Sequence, residues 1–266
     1  MILPGPYFAP MLDSSLKDVG NAVVARERFF RCRPRNLDYL LRQRYEWMNG
    51  YIAGLTRVVE FGAGAGLSRE YISNPKLILT DYETHPWIDM QADALNPPFG
   101  PESLDAIICS HMIHHLAFPA KFMRLAASML RPGGYLLIQE VHCSLLLRVL
   151  MRVLKIEGWS YDVDVFNEDT ATNNLADPWS GNNAVPDLLF TDTHEFSRRF
   201  PNLEIIRNEL CECLVVLLAG GVTAHRRTLQ LPEWILAATK RLDDGIAALL
   251  PSTFALGRRV VVRKAR

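Results

Sequence analysis

The residues best able to do chemistry lie between Arg57 and His142. Val58 and Val59 lead into Glu60 and Phe61, and then Gly62, Ala63, Gly64, Ala65 and Gly66 follow. A β-branched pair closed by glycine at alternate positions predicts a buried strand that stops in a tight turn. Without a Cβ the backbone can approach a ligand closely, and the N–H groups of the turn can bind polar ligand groups. The dinucleotide-binding spacing is not met, because Leu67 stands where a third glycine belongs and Gly66 comes one place early. Asp81 closes the next apolar run, 21 residues beyond Glu60, which suits a carboxylate that accepts hydrogen bonds from ribose hydroxyls. Asp93-Ala94 and then Ser110-His111-Met112-Ile113-His114-His115 end later segments. For proton transfer the candidates are His111, His114, His115, Glu140 and His142. His111 and His115 are four residues apart, but no acidic ligand stands at matching spacing, so no metal site is expected.

Composition narrows the function classes. The 266 residues are 49% hydrophobic and 22% charged, as in an ordinary soluble globular chain. Lys plus Arg and Asp plus Glu are both 29, which gives no basic surplus for nucleic acid. The charge is nevertheless uneven: between Lys155 and Arg198 there is no Lys or Arg, while Asp and Glu occur nine times. Five cysteines without CxxC spacing suggest reduced thiols in the cytoplasm. No signal peptide is expected at the N-terminus, and the longest apolar stretch, 214–222, is far short of a membrane span.

These residues must be positioned by a framework of alternating strands and helices. Residues 58–141 alternate short apolar runs with helical stretches, the pattern of βα units in a parallel sheet. Glu60, Asp81, Asp93 and Ser110 fall at the carboxyl ends of the predicted strands, where such sheets bind ligands. A helix is expected over 36–52 and another over 119–130, the latter terminated by Pro132-Gly133-Gly134. Strands are expected over 203–209 and 258–263. One domain, 1–266, accounts for this, with an N-terminal arm and helix (1–52), an insertion on the acceptor side (143–200) and a helical excursion (210–257) before the last strand.

The ordered set Glu60-x-Gly62-x-Gly64-x-Gly66, Asp81, Asp93-Ala94, Leu104-Asp105-Ala106-Ile107-Ile108, His114-His115-Leu116 and Arg131-Pro132-Gly133-Gly134 resembles the class I S-adenosylmethionine-dependent methyltransferases. It is closest to their quinone-biosynthesis branch, over roughly residues 57–142. The resemblance implies a doubly wound α/β fold, a seven-stranded, mainly parallel Rossmann-like sheet whose last strand is antiparallel. It implies S-adenosylmethionine as cofactor, with Gly62, Ala63, Gly64 and Gly66 at its methionine part, Asp81 at the ribose, and Asp93 with Ala94 at the adenine. Ser110 and His111 would lie near the methyl donor, and Glu60 would fix the turn or the cofactor ammonium.

The chain beyond the fifth strand bears on the acceptor. The acidic region 157–197 is rich in aromatics and amides, including Trp159, Trp179, Asn173, Asn174 and Asn183, which suits a sugar or an amine. The expected reaction is O-methylation of a sugar, glycolipid or polyhydroxyl metabolite, with His111, His115 and His142 as catalytic candidates. A quinone-like ring, a lipid head group, or a nucleotide-binding role without methyl transfer are the alternatives. The segment 145–156, with Arg148, Arg152 and Lys155 on one side, fits either peripheral membrane contact or an enlarged core.

Overall fold

In the computed structural model, residues 7–8, 21–154, 157–175, 177, 179–220 and 228–266 are described. Seven strands form the central sheet: β1 (Val58–Phe61), β2 (Leu77–Asp81), β3 (Met90–Gln91), β4 (Leu104–Ser110), β5 (Leu130–Val141), β6 (Leu203–Cys211) and β7 (Gly257–Lys264). Their spatial order is β3-β2-β1-β4-β5-β7-β6. Neighbours from β3 to β5 are parallel, and β7 runs antiparallel to both β5 and β6. The expected seven-stranded sheet with an antiparallel last strand is therefore present. Val58 to Phe61 and Val260 to Val262 are buried without alternation, as strands covered on both faces must be. Strand order reverses between β1 and β4, so a crevice opens at their carboxyl ends.

Two apolar layers cover the sheet. One gathers Val59, Phe61, Ile107 and Ile138 with Phe122 and Ala126 of α3 (Pro119–Met129). The other gathers Val58, Leu79, Ile108 and Val261 with Phe29 of α1 (Ala22–Cys32) and Leu37, Leu41 and Tyr45 of α2 (Arg35–Tyr45). Helix α1 was not expected; Asn21 starts it by accepting the Val23 and Val24 N–H groups. The single helix expected over 36–52 is broken after Tyr45 by a tighter turn, Glu46–Met48, before Asn49–Ile52. Asn49 binds the Tyr71 carbonyl and the Ser73 N–H, tertiary bonds invisible to local periodicity. Helix α3 likewise stops at Met129, not at Pro132-Gly133, because Leu130 is already extended and pairs with Leu104.

Beyond β5 the chain forms α4 (Leu145–Leu154), α5 (Val185–Phe190) and α6 (Thr193–Arg199), with Trp159–Ser160 paired to Tyr7–Phe8. Between β6 and β7 lie α7 (Leu214–Ala219), α8 (Glu233–Leu249) and the short helix Pro251–Phe254. α7 and α8 pack on α2 through Val215, Leu236 and Leu40. The arm expected over 1–20 lies outside the described residues apart from 7–8, as do the ends of the apolar segments 145–156 and 214–222.

Two buried carboxylates fasten these parts. Glu212 holds Arg44 of α2 at 2.7 Å and accepts from Gln139 of β5 at 3.1 Å. Asp105, at the start of β4, accepts from the Thr56 and Arg57 N–H groups at 3.1 and 3.0 Å and from the Arg57 guanidinium at 2.8 Å. Burial opposes the Asp105 charge, but these donors outweigh it and hold its carboxyl below the usual range. Asp105→Asn is expected to lower the unfolding free energy by about 2 kcal/mol at neutral pH, in urea titrations. A depressed carboxyl stabilises above its unfolded pKa of about 3.9, and that contribution is lost as pH falls through the folded value. The gap between wild type and variant should therefore close in acid.

Candidate active site

The turn after β1 is left-handed at three positions: φ is +69° at Gly62, +49° at Gly64 and +64° at Gly66. These glycines serve different ends. A Cβ on Gly62 would sit 2.4 Å from Met112 Cγ, and one on Gly66 would sit 2.7 Å from Trp87 Cδ1. A Cβ on Gly64 would meet nothing within 4 Å. Packing thus requires the outer two, while Gly64 faces open space. The turn is braced from several sides. The Gly64 N–H donates to Asp81 Oδ2 at 2.7 Å, Trp87 Nε1 donates to the Gly64 carbonyl at 2.8 Å, and Arg26 Nη1 donates to the Ala65 carbonyl at 2.8 Å. The Arg26 guanidinium also lies 4.7 Å from the Trp87 ring centroid.

A cavity of about 450 Å³ opens above this turn, within the usual range for small-molecule sites. Gly62, Ala63, Gly64, Asp81, Asp93, Ala94, Ser110, His111 and His115 all line it. Gly66 does not, and its place is in the turn's packing. Glu60 lies beneath the turn, fully buried, and accepts from the Ser68 hydroxyl while its Oε1 has no partner among the described residues. Burial pushes its carboxyl up to about 7 against the Ser68 bond. Of its two expected roles, the bond to Ser68 supports the first, bracing the turn.

Asp81 receives two backbone donors, Gly64 N–H on Oδ2 and Glu83 N–H on Oδ1. Asp93 takes the Leu95 N–H. Both carboxylates are thus fixed at the cleft edge. His111, at φ +51°, donates its backbone N–H to the Gln139 carbonyl at 2.7 Å. Its ring is half-buried, and the buried Nδ1 has no partner among the described residues; burial and then the nearby Arg44 charge push it down to about 3. The imidazole is therefore neutral. A buried ring nitrogen without a partner, an open face over Gly64 and two fixed carboxylates fit a cofactor that carries an amine, hydroxyls and a positive charge.

The three catalytic candidates separate. His111 and His115 face the cleft, whereas His142 does not. His142 Nδ1 donates to Asp187 at 2.7 Å, and Arg258 binds the same carboxylate at 3.0 Å. Asp187 also accepts the Cys143 N–H and the Tyr161 hydroxyl, a cluster that ties α5 to the end of β5. His114 is buried and donates from Nδ1 to Glu140 Oε2 at 2.7 Å, while Glu140 Oε1 accepts the Ile113 N–H. Burial opposes the His114 charge, but Glu140 and Glu157 outweigh it and raise the ring to about 8. His115 donates from Nδ1 to the Ser180 carbonyl at 3.3 Å, and burial together with the charged His114 pushes it down.

The opposite wall comes from the acidic region: Asn173, Asn174, Leu175, Asp177 and Trp179. It is laced to the histidine turn by main-chain carbonyls. Thr172 N–H donates to Ala117, Asn182 N–H to His114 and the Asn173 amide to His115. Asn183, expected at the acceptor, is internal and binds Gly158 and Glu157. Sequence reasoning missed Ala22, Ala25, Leu41, Arg44 and Tyr45, which line the cleft from α1 and α2. Only the apolar period of α2 could have hinted at any of them.

The contrast between the glycines is testable by calorimetry with S-adenosylhomocysteine. Gly64→Val, which meets no neighbour but is strained at φ +49°, and Asp81→Ala, which frees two backbone donors, should each weaken binding at least tenfold in protein that is still folded, with a moderate loss of melting temperature. Gly62→Ala, which must displace Met112, should lower the melting temperature first. Unchanged affinity in both Gly64→Val and Asp81→Ala would remove this turn from the cofactor site.

A family model described as a methyltransferase domain matches residues 25–174, more than half of the chain. No curated protein matches. Among solved structures, the chain is similar to an S-adenosylmethionine-dependent methyltransferase from Archaeoglobus fulgidus, at 17% identity and TM-score 0.47 over 94% of this chain and 96% of that one. It is also similar to a possible histamine N-methyltransferase from Thermotoga maritima, at 15% identity and TM-score 0.47 over 94% and 99%. The alternative of a nucleotide-binding protein without methyl transfer falls away with the family match. The chain belongs to the methyltransferase-domain family and is a class I methyltransferase that uses S-adenosylmethionine.

Proposed function

We propose that this methyltransferase acts on a hydroxyl of a small polyhydroxyl acceptor, such as a sugar or a glycolipid head group. The observation that carries this reading is the wall facing the glycine turn, where Asn173, Asn174 and Asp177 surround Leu175 and Trp179. Amide and carboxylate groups pair with hydroxyls, and an indole covers the apolar face of a sugar ring. Asp81 and Asp93 would hold the ribose and adenine ends of the cofactor, and Gly64 would leave room for its methionine part. When bound, S-adenosylmethionine would supply a methyl carbon on a positively charged sulfur for transfer to the acceptor oxygen, the sulfur keeping the electron pair and the hydroxyl proton passing to solvent. The protein's share is alignment and exclusion of water. His111 and His115, both held neutral, present ring nitrogens able to orient a hydroxyl.

A second reading, a lipid head group or quinone-like acceptor met at a membrane surface, is favoured by exposed apolar side chains. Val149 and Val153 on α4 and Trp234, Leu242 and Leu249 on α8 are all exposed. No described helix is long and apolar enough to cross a membrane. Arg148 and Arg152 lie over the Tyr161 and Trp159 rings at 5.9 and 5.5 Å, and Lys155 lies outside the described residues. Flotation with anionic vesicles at low and high salt, with Arg148→Glu/Arg152→Glu as control, tests it. Salt-sensitive flotation lost in the double variant supports this reading, and protein that stays soluble at low salt rejects it.

The main reading is tested by mass spectrometry of metabolite and glycan extracts incubated with the protein and S-adenosylmethionine. A product one methyl group heavier at oxygen is expected. With that acceptor, Trp179→Ala should raise KM about tenfold while the affinity for S-adenosylhomocysteine stays unchanged. Methyl transfer to nitrogen or ring carbon only would overturn the assignment.

A further inference from the structure

Behind the cleft wall, one ring nitrogen of His114, one of His115 and a carboxylate oxygen of Glu157 lie within 4.8 Å of one another. The two rings are 4.1 Å apart at their centroids. Each ring's other nitrogen is already committed. His114 Nδ1–H is given to the buried Glu140 carboxylate and His115 Nδ1–H to the Ser180 carbonyl. A carbonyl and a carboxylate can only accept, so both rings carry their proton on Nδ1, and when His114 is neutral both Nε2 atoms hold free lone pairs. His114 Nε2 then stands 3.8 Å from Glu157 Oε2.

A second group that takes the Nδ1 proton of each histidine fixes the tautomer and leaves Nε2 as the atom open to a metal. The surroundings hold it in place. Glu140 is fixed by the Ile113 N–H, the His114 carbonyl by Asn182 and the Glu157 carboxylate by Asn183 at 2.8 Å. Gly181 lies against both rings, where a Cβ would come within 3.2 Å of each. Ligand atoms around a tetrahedral Zn2+ are about 3.4 Å apart. The cluster must therefore close by about an ångström, and the half-exposed Glu157 side chain can supply that movement by turning about its bond to Asn183.

We propose that His114, His115 and Glu157 form a divalent-cation site beside the acceptor cleft, suited to Zn2+. Two imidazoles and one carboxylate are a catalytic-type ligand set, which leaves a fourth position open. Because His115 lines the cleft, a cation held there is placed to bind an acceptor oxygen and ease loss of its proton. This last step rests on the hydroxyl acceptor proposed above; the cation site itself does not. It also gives His115 Nε2 to the metal instead of to the hydroxyl.

The test uses the full chain, stripped with chelator and titrated with ZnCl2 against a chromophoric competitor, with Co2+ absorption as a second readout. One equivalent of Zn2+ should be retained after desalting. His115→Ala and Glu157→Gln should each weaken it at least tenfold, and Glu140→Gln, which touches no metal, should do so by 10- to 100-fold. His194→Ala, on an exposed helix, should change nothing. Binding of S-adenosylhomocysteine by each variant shows that it is folded. Failure of the wild type to retain Zn2+, or equal retention by the Glu157→Gln and His115→Ala proteins, would overturn the site. Loss of Zn2+ binding in these variants without any O-methyl product being found for the wild type would keep the site and reject the acceptor.

Discussion

Everything in this enzyme's cleft depends on holding the backbone after β1 in a left-handed conformation at three alternate residues. That conformation is costly for any residue with a Cβ and easy only for glycine. Glycine, however, brings freedom that must be removed, and the surrounding residues remove it. Asp81 takes the Gly64 N–H, Trp87 and Arg26 take the carbonyls of Gly64 and Ala65, and the buried Glu60–Ser68 pair lies underneath. Asp81, proposed above to hold the ribose, thus pins the turn beneath it. Burial and, to a lesser extent, the Asp81 charge raise the Glu60 carboxyl to about 7 and so weaken a second negative charge beneath the turn.

Buried charges mark the places where added segments meet the common sheet. Arg44 and Glu212 join α2 to the end of β6, Asp187 joins α5 to His142 and Arg258, and Glu140 joins β5 to the histidine turn. A buried pair gives little net stability relative to apolar packing, but removing one partner is costly. Such pairs favour one arrangement of the segments over others. Here the arrangement places the acidic region opposite the glycine turn, so that each forms one wall of the same cavity.

Much of the sheet could be read locally. The runs 58–61, 77–81 and 104–110 are apolar, short and closed by glycine or a polar residue, and burial on both faces makes such runs strands whatever their neighbours. The spacing of Gly62, Gly64, Asp81 and Asp93 comes from the same units, because each acid stands at or just beyond the end of its own strand. What misled local reading were residues whose partners are distant. Asn49 begins a separate short helix, tied by its side chain to Tyr71 and Ser73, and Leu130 enters β5 early because Leu104 is beside it.

The sequence alone determined the strand sequence, the left-handed turn and the acids around it, since these depend on residue type and short-range spacing. Only the tertiary structure decided which of the chemically similar histidines reaches the cleft. His111 and His115 line it, while His114 turns back onto Glu140 and His142 onto Asp187. It also brought Ala22, Ala25 and Tyr45 over the glycine turn and set Glu157 against the histidine pair. The physical reason is the same in each case. A side chain's direction is fixed by the buried partner that satisfies its polar atoms or by the apolar surface it covers, and those partners come from segments far away along the chain.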